Sequence, residues 1–162
     1  DRGWQFAPGF HYSRTLVGGN SLPSQLITGD WRIAPLRQIE LTGAFFTGRN
    51  AGPIGGLRQG IVQTSPGQYR AVATTGGWTQ LMLRPFDRLR FHLIAGEQDD
   101  RRSDLNAGNI NRNFSWAVNG MYQLGPNVVV GLEAQQIRTT YVQSAPPTRV
   151  ANRYDLALAY IF

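Results

Sequence analysis

The chain closes with Tyr154-Asp155-Leu156-Ala157-Leu158-Ala159-Tyr160-Ile161-Phe162. Tyr154, Leu156, Leu158, Tyr160 and Phe162 recur at every second position, and Asp155, Ala157 and Ala159 stand between them. Successive side chains of a β-strand point to opposite faces. The spacing therefore predicts a strand with one apolar, largely aromatic face and one face of small or charged residues. An amphipathic strand of this kind also ends soluble β-proteins, so the fold depends on whether the pattern repeats.

It repeats over Trp4 to Ser13, Ile27 to Ala34, Ile39 to about Gly48, Val72 to Leu83, Leu89 to Gly96, Phe114 to Gln123 and Val128 to Tyr141, giving eight strands in all. Pro8 interrupts the first strand, which predicts a bulge there or an edge position, because proline lacks the ladder donor. The fourth strand alternates least well: Trp78 and Met82 fall opposite Leu81 and Leu83, and a bulge at Gly76-Gly77 would restore the phase. Connections after the first, third, fifth and seventh strands read as long, among them the polar loop Gly18 to Pro23, the Gly-rich Arg49 to Gln68 and the charged Glu97 to Arg112. Those after the second, fourth and sixth read as short turns, Pro35 to Gln38, Arg84 to Arg88 and Leu124 to Asn127.

The ending resembles the C-terminal signal of bacterial outer-membrane β-barrel proteins, a last strand finishing in Phe with apolar or aromatic residues at alternate positions, here Tyr154, Leu156, Leu158, Tyr160 and Phe162. The alternation of long and short connections is independently that of such barrels, which join strands by long outer loops and short periplasmic turns. The resemblance implies a Gram-negative outer-membrane barrel, similar in kind to the small OmpA/OmpX-like class or to the C-terminal part of a porin-like barrel. It further implies an assembly machinery that reads the last strand, and lipid and lipopolysaccharide as surroundings.

Composition agrees with turn-rich β-structure. Of the 162 residues, 19 are glycine and 9 proline, and charged residues make up only 16%. One domain over residues 1–162 is expected from the length. No stretch approaches the ~18 apolar residues of a membrane helix, whereas barrel strands need only about 9–11 alternating residues. The absence of cysteine excludes disulfides, thiol catalysis and cysteine metal sites. All 16 basic residues are arginine, for a net charge of +6. Arginine suits bidentate partners such as the phosphates of lipopolysaccharide. The arginines are scattered over every segment, which argues against nucleic acid, whose binders gather them in one stripe. The start at Asp1, with neither Met nor signal peptide, fits a mature product or a fragment.

The two faces separate the membrane reading from a soluble one. The polar face is mostly Gly, Ala, Ser, Thr, Asn and Gln, with Asp30, Arg32, Glu40, Arg90, His92, Glu133 and Asp155 at mid-strand. Small residues and pairing charges suit a crowded polar lumen better than a water-washed surface. The apolar face is expected to carry an aromatic belt, including Trp4, Tyr12, Phe45, Phe114, Tyr122 and Tyr141, at the membrane–water boundary.

Sites of other kinds are weak. His11 or His92 could serve as a base toward Ser13 or Ser115, but neither pair matches a motif of the barrel enzymes, and both histidines are read as parts of a polar hydrogen-bond network. Asp99, Asp100 and Asp104 lack the ligand order and glycine of a calcium loop, and Arg101 and Arg102 can neutralise them. The stretch Gly52 to Gly60 lacks the Gly-Lys-Ser/Thr of a phosphate loop. No cofactor, metal or catalytic residue is expected.

The chain is thus expected to be an all-β, antiparallel up-and-down transmembrane barrel of eight strands, the first paired with the last, with a lumen filled by polar side chains and a structural or surface-interaction role. The alternative is a porin-type channel for small solutes, this chain being all or part of a larger barrel, completed by further chain, a partner protein or a homo-oligomer. An outer-membrane lipid-modifying enzyme is a third reading. Eight strands leave room only for side chains, whereas 16–18 leave an aqueous passage, so strand count decides what the polar residues do.

Overall fold

The computed structural model describes residues 3–54 and 60–160. Ile161 and Phe162, the last of the proposed assembly signal, lie outside the described residues, as does Gly55-Gly56. The fold is all-β and antiparallel. Its strands are β1 (Gly3–Val17), β2 (Asn20–Leu36), β3 (Ile39–Arg49), β4 (Ile61–Ser65), β5 (Gln68–Ala71), β6 (Ala73–Phe86), β7 (Leu89–Asp100), β8 (Ile110–Gln123), β9 (Val128–Tyr141) and β10 (Thr148–Tyr160). Eight of them form one sheet in the order β1-β2-β3-β6-β7-β8-β9-β10, each paired with its sequence neighbour, and β4-β5 is a separate hairpin.

The expected closure is not found among the described residues. β1 pairs with β2 and β10 with β9, and β1 does not pair with β10. β10 is exposed along almost its whole length on both faces, with only Asp155 partly covered. Which strand an edge will meet is not a local property of its residues, and alternation is the same in a closed and an open sheet.

Two connections and one strand differ from their reading. The first is a two-residue turn, Gly18-Gly19, with φ of 54° and 80°. These angles belong to the hairpin turns that match strand twist and strongly favour glycine. The polar residues after the turn extend β2 instead of looping. β3 stops pairing at Gln25, so Pro23 sits where β2 has a free side, a place a proline tolerates. Pro8 likewise lies in the outermost strand, in unbroken register with Gly29. The expected bulge at Gly76-Gly77 is absent: β6 runs in continuous register from Ala73 to Leu83, and the irregularity falls between Leu83 and Phe86, at Pro85. A matching one lies between Ile33 and Leu36, at Pro35. Trp78 and Met82 therefore stay on the polar face, opposite Ala44 and Glu40. The third connection, read as a structureless loop, contains the β4-β5 hairpin.

That hairpin is fastened at the long-connection end of the sheet. Asn20 donates to the Gly67 carbonyl at 2.9 Å, and Asn106 to that of Gln63 at 2.9 Å. Buried Ser24 donates to the Asn50 carbonyl at 2.7 Å, and Asn50 to Thr15 Oγ1 at 3.0 Å. Ser24 and Thr15 have polar-face parity, so the third connection is anchored on that side of the sheet. Leu26, Ala51, Val62, Val72 and Val142, five of the seven buried apolar residues described, belong to this end of the molecule.

Candidate functional site

Cross-strand register assigns each side chain to a face, because residues directly opposite one another share it. One row can be followed through all eight strands: Trp4, Ile33, Leu41, Leu81, Leu93, Val118, Ala134 and Tyr154. All eight are apolar or aromatic. The row below it includes Leu83, Phe91, Leu132 and Leu156, and the row above it Phe6, Trp31 and Trp116. No second layer covers this face among the described residues. Trp4 is 83% exposed, Leu132 63% and Leu156 75%, so the large side chains that would form the core of a sandwich lie bare.

The border of this apolar band is oblique. On β1 it reaches from Trp4 to Tyr12 before Arg14; on β10 it reaches from Tyr154 to Tyr160, with Asn152, Val150 and Thr148 beyond. Trp4 and Tyr154 share a row, so the upper border descends by the eight residues from Tyr12 to Trp4, ~26 Å at ~3.3 Å per residue, across seven strand spacings of ~4.8 Å. That is a slant of about 38° to the cross-strand rows. Leu16, beyond Arg14, belongs to the projecting β1–β2 tip. Above the band the same face turns ionic: Glu97 accepts from Arg112 at 2.6 Å, and the carboxylate holds that guanidinium more firmly protonated than usual. Arg49 and Arg138 stand at the same border.

Of the expected belt, Trp4, Tyr12, Phe45, Phe114 and Tyr122 lie on this face. Tyr141 does not. It is seven positions from Ala134 and therefore has the other parity, and Arg149, also of that parity, stacks on its ring at 5.2 Å. The assembly-signal residues described, Tyr154, Leu156, Leu158 and Tyr160, are all on the apolar face.

Asp30, Arg32, Glu40, Arg90, His92, Glu133 and Asp155 all lie on the opposite, polar face. They do not form the expected paired network. One pair forms within the set, Arg32 Nε to Glu40 Oε2 at 2.8 Å. Glu133 faces Asp155 directly across the β9–β10 ladder, an unfavourable like-charge placement. Each acid is offset by its own partner: Asn119 donates to Glu133 at 3.1 Å, and Arg153 meets Asp155 at 2.7 Å. On β9–β10 the polar face balances two acids, Glu133 and Asp155, with two arginines, Arg149 and Arg153, whereas at the short-turn end of β2–β7 arginines gather, Arg37 and Arg84 joining Arg32 and Arg90. Arg37 and Arg84 escape a sequence reading because both fall in stretches that look like plain turns.

His11 and Ser13 do meet, at 2.9 Å, but no carboxylate among the described residues orients the ring, and His92 lies opposite Asn119, not Ser115. The three loop acids diverge. Asp99 accepts from Asn111 at 3.1 Å, Asp104 from the Ala73 amide at 3.1 Å, and Asp100, 2% exposed, accepts from Gln98 at 3.2 Å. Burial pushes the Asp100 carboxyl above the usual aspartate range, against hydrogen bonds from Thr74 and Gln98 that pull it down. No cluster among the described residues has the makings of a metal site. No family model, no curated protein and no solved structure matches this chain.

Proposed function

We propose that the chain is a run of eight consecutive strands from a bacterial outer-membrane β-barrel wider than eight strands, working as a porin-type channel for passive diffusion of small solutes. The slanted apolar band carries this reading. In a transmembrane barrel the strands tilt by about 35–45° while the hydrocarbon layer stays level, so the lipid-facing band must cross the strand rows at that angle. A soluble barrel has the same tilt but covers its apolar face, whereas here Trp4, Leu132 and Leu156 lie bare.

The free edges of β1 and β10 support a wider barrel over the eight-stranded, side-chain-filled one, because open backbone edges cannot be satisfied in lipid. Further strands, from longer chain or a second copy, would close it, and the polar face would line an aqueous passage. On this reading the border arginines, Arg14, Arg49, Arg112 and Arg138, meet lipopolysaccharide phosphates, and β10 is read by the assembly machinery. Planar-bilayer recording with the detergent mass measured on the same sample tests it. Large stable openings from an assembly bigger than one eight-stranded unit support the channel. A compact monomer without openings overturns it and returns the eight-stranded barrel.

A further inference from the structure

We infer that Arg32, Arg37, Arg84 and Arg90 form a binding site for an oxyanion, a phosphate or carboxylate group, on the polar face at the short-turn end of the sheet. The inference stands on the geometry of that face and not on what the opposite face meets.

The site is a product of the two proline irregularities. Pro35 and Pro85 cannot donate to a ladder, and at each the strand takes up an extra residue just before a two-residue turn. The backbone amide of Arg84 then reaches sideways to the Gln38 carbonyl at 2.7 Å, which ties the β2–β3 turn to β6 and sets Arg37 beside Arg84. Between them opens a cavity of about 450 Å³, roomy enough for an organic phosphate or carboxylate. Four guanidinium groups line it, with Glu40 as the one acid.

Glu40 is already engaged, since Nε and Nη2 of Arg32 both hold its Oε2. Arg37, Arg84 and Arg90 have no carboxylate partner among the described residues. Arg84 Nε is moreover buried and meets no hydrogen-bond acceptor of the protein. A buried donor left unmet is costly, and like charges gathered in one cavity repel. An anion with two or more oxygens offsets that repulsion, because the planar guanidinium fork matches phosphate and carboxylate geometry.

Calorimetric titration of the full chain in nonionic detergent with inorganic phosphate tests the site. Saturable binding is expected, weakened by about tenfold or more in Arg84→Gln and Arg90→Gln. It should be unchanged in Arg88→Gln and Arg102→Gln, whose side chains do not line the cavity. If Arg84→Gln does not fold, Arg37→Gln, an exposed turn position, carries the same expectation. Repeating the titration with a short-chain phosphatidylglycerol below its micelle concentration separates the sources: displacement of phosphate identifies a lipid headgroup as ligand, and no displacement restricts the site to free anions. Absence of saturable phosphate binding, or binding indifferent to the lining arginines, overturns the inference.

Discussion

Trp4 and Tyr154 occupy one cross-strand row at opposite edges of the sheet, yet on β1 the apolar band continues above that row to Tyr12, whereas on β10 it runs below it to Tyr160. Both are residues that prefer a membrane–water boundary. On the proposed reading the relationship follows from strand tilt in a membrane, which would assign every residue between them a depth.

Arginine placed at the centre of that row should be costly in lipid. Leu81→Arg and Leu93→Arg are expected to destabilise the protein by about 2–4 kcal/mol, the cost of a cation near the bilayer midplane, whereas Gln80→Arg on the polar face should cost little. Denaturant titration in lipid vesicles compares them. Equal costs on the two faces would remove the distinction between them.

Two glycines on β3 and β9 should respond oppositely to one methyl group. A Cβ at Gly43 would run into the Trp31 ring and lie 2.6 Å from the Trp78 carbonyl oxygen, backbone that cannot give way. Gly43→Ala should therefore destabilise by about 1–3 kcal/mol. Gly131→Ala meets nothing closer than 3.8 Å and should be tolerated. Thermal unfolding of the two variants provides the comparison.

The anchoring of the β4-β5 hairpin depends on a fully buried hydroxyl. Ser24→Ala leaves the Asn50 carbonyl without its donor, at a cost of about 1–3 kcal/mol, felt locally. Limited proteolysis should then cut at the Ser65–Gln68 turn faster than in the parent while the eight-stranded sheet stays intact. Unchanged cleavage would mean that the other ties suffice.

Asp100 gives the end of β7 a pH dependence of definite sign. Its folded pKa is raised by burial, so the folded state holds the proton more tightly than the unfolded chain. The associated stability is full below the unfolded aspartate pKa and is lost as pH rises through the raised folded value. Asp100→Asn keeps an acceptor for Gln98 and should flatten that slope. Amide exchange near Arg101, which donates to the Ala73 carbonyl, would report it.

What the sequence disclosed was local. Alternation identified the eight sheet strands and placed Asp30, Arg32, Glu40, Arg90, His92, Glu133 and Asp155 on one face, because a period of two survives wherever register does. It failed where register slips or where a partner is remote. Pro35 and Pro85 looked like turn residues but sit within strand ends, which conceals Arg37 and Arg84 as members of the polar face. Gly18-Gly19 followed by Asn20, Ser21 and Pro23 resembled a loop, although β2 can run on there because its outer side is free. The hairpin over 61–71 carries too few apolar residues to announce itself. Pro8 marked β1 as a bulged or edge strand, and the edge is what forms, but the open edge of β10 leaves no mark in its own residues.

The most direct test of the tilted band is spin-label accessibility in lipid vesicles, with single cysteines along the row Trp4, Leu41, Leu81, Leu93 and Tyr154 and along the polar row Arg32, Thr42, Gln80 and Ile94. Oxygen collisions should peak near Leu81 and decline toward both Trp4 and Tyr154, while the polar row should be open to a water-soluble nickel chelate. A flat profile along the first row, or the same accessibilities on both rows, would contradict a sheet that crosses a membrane at this tilt.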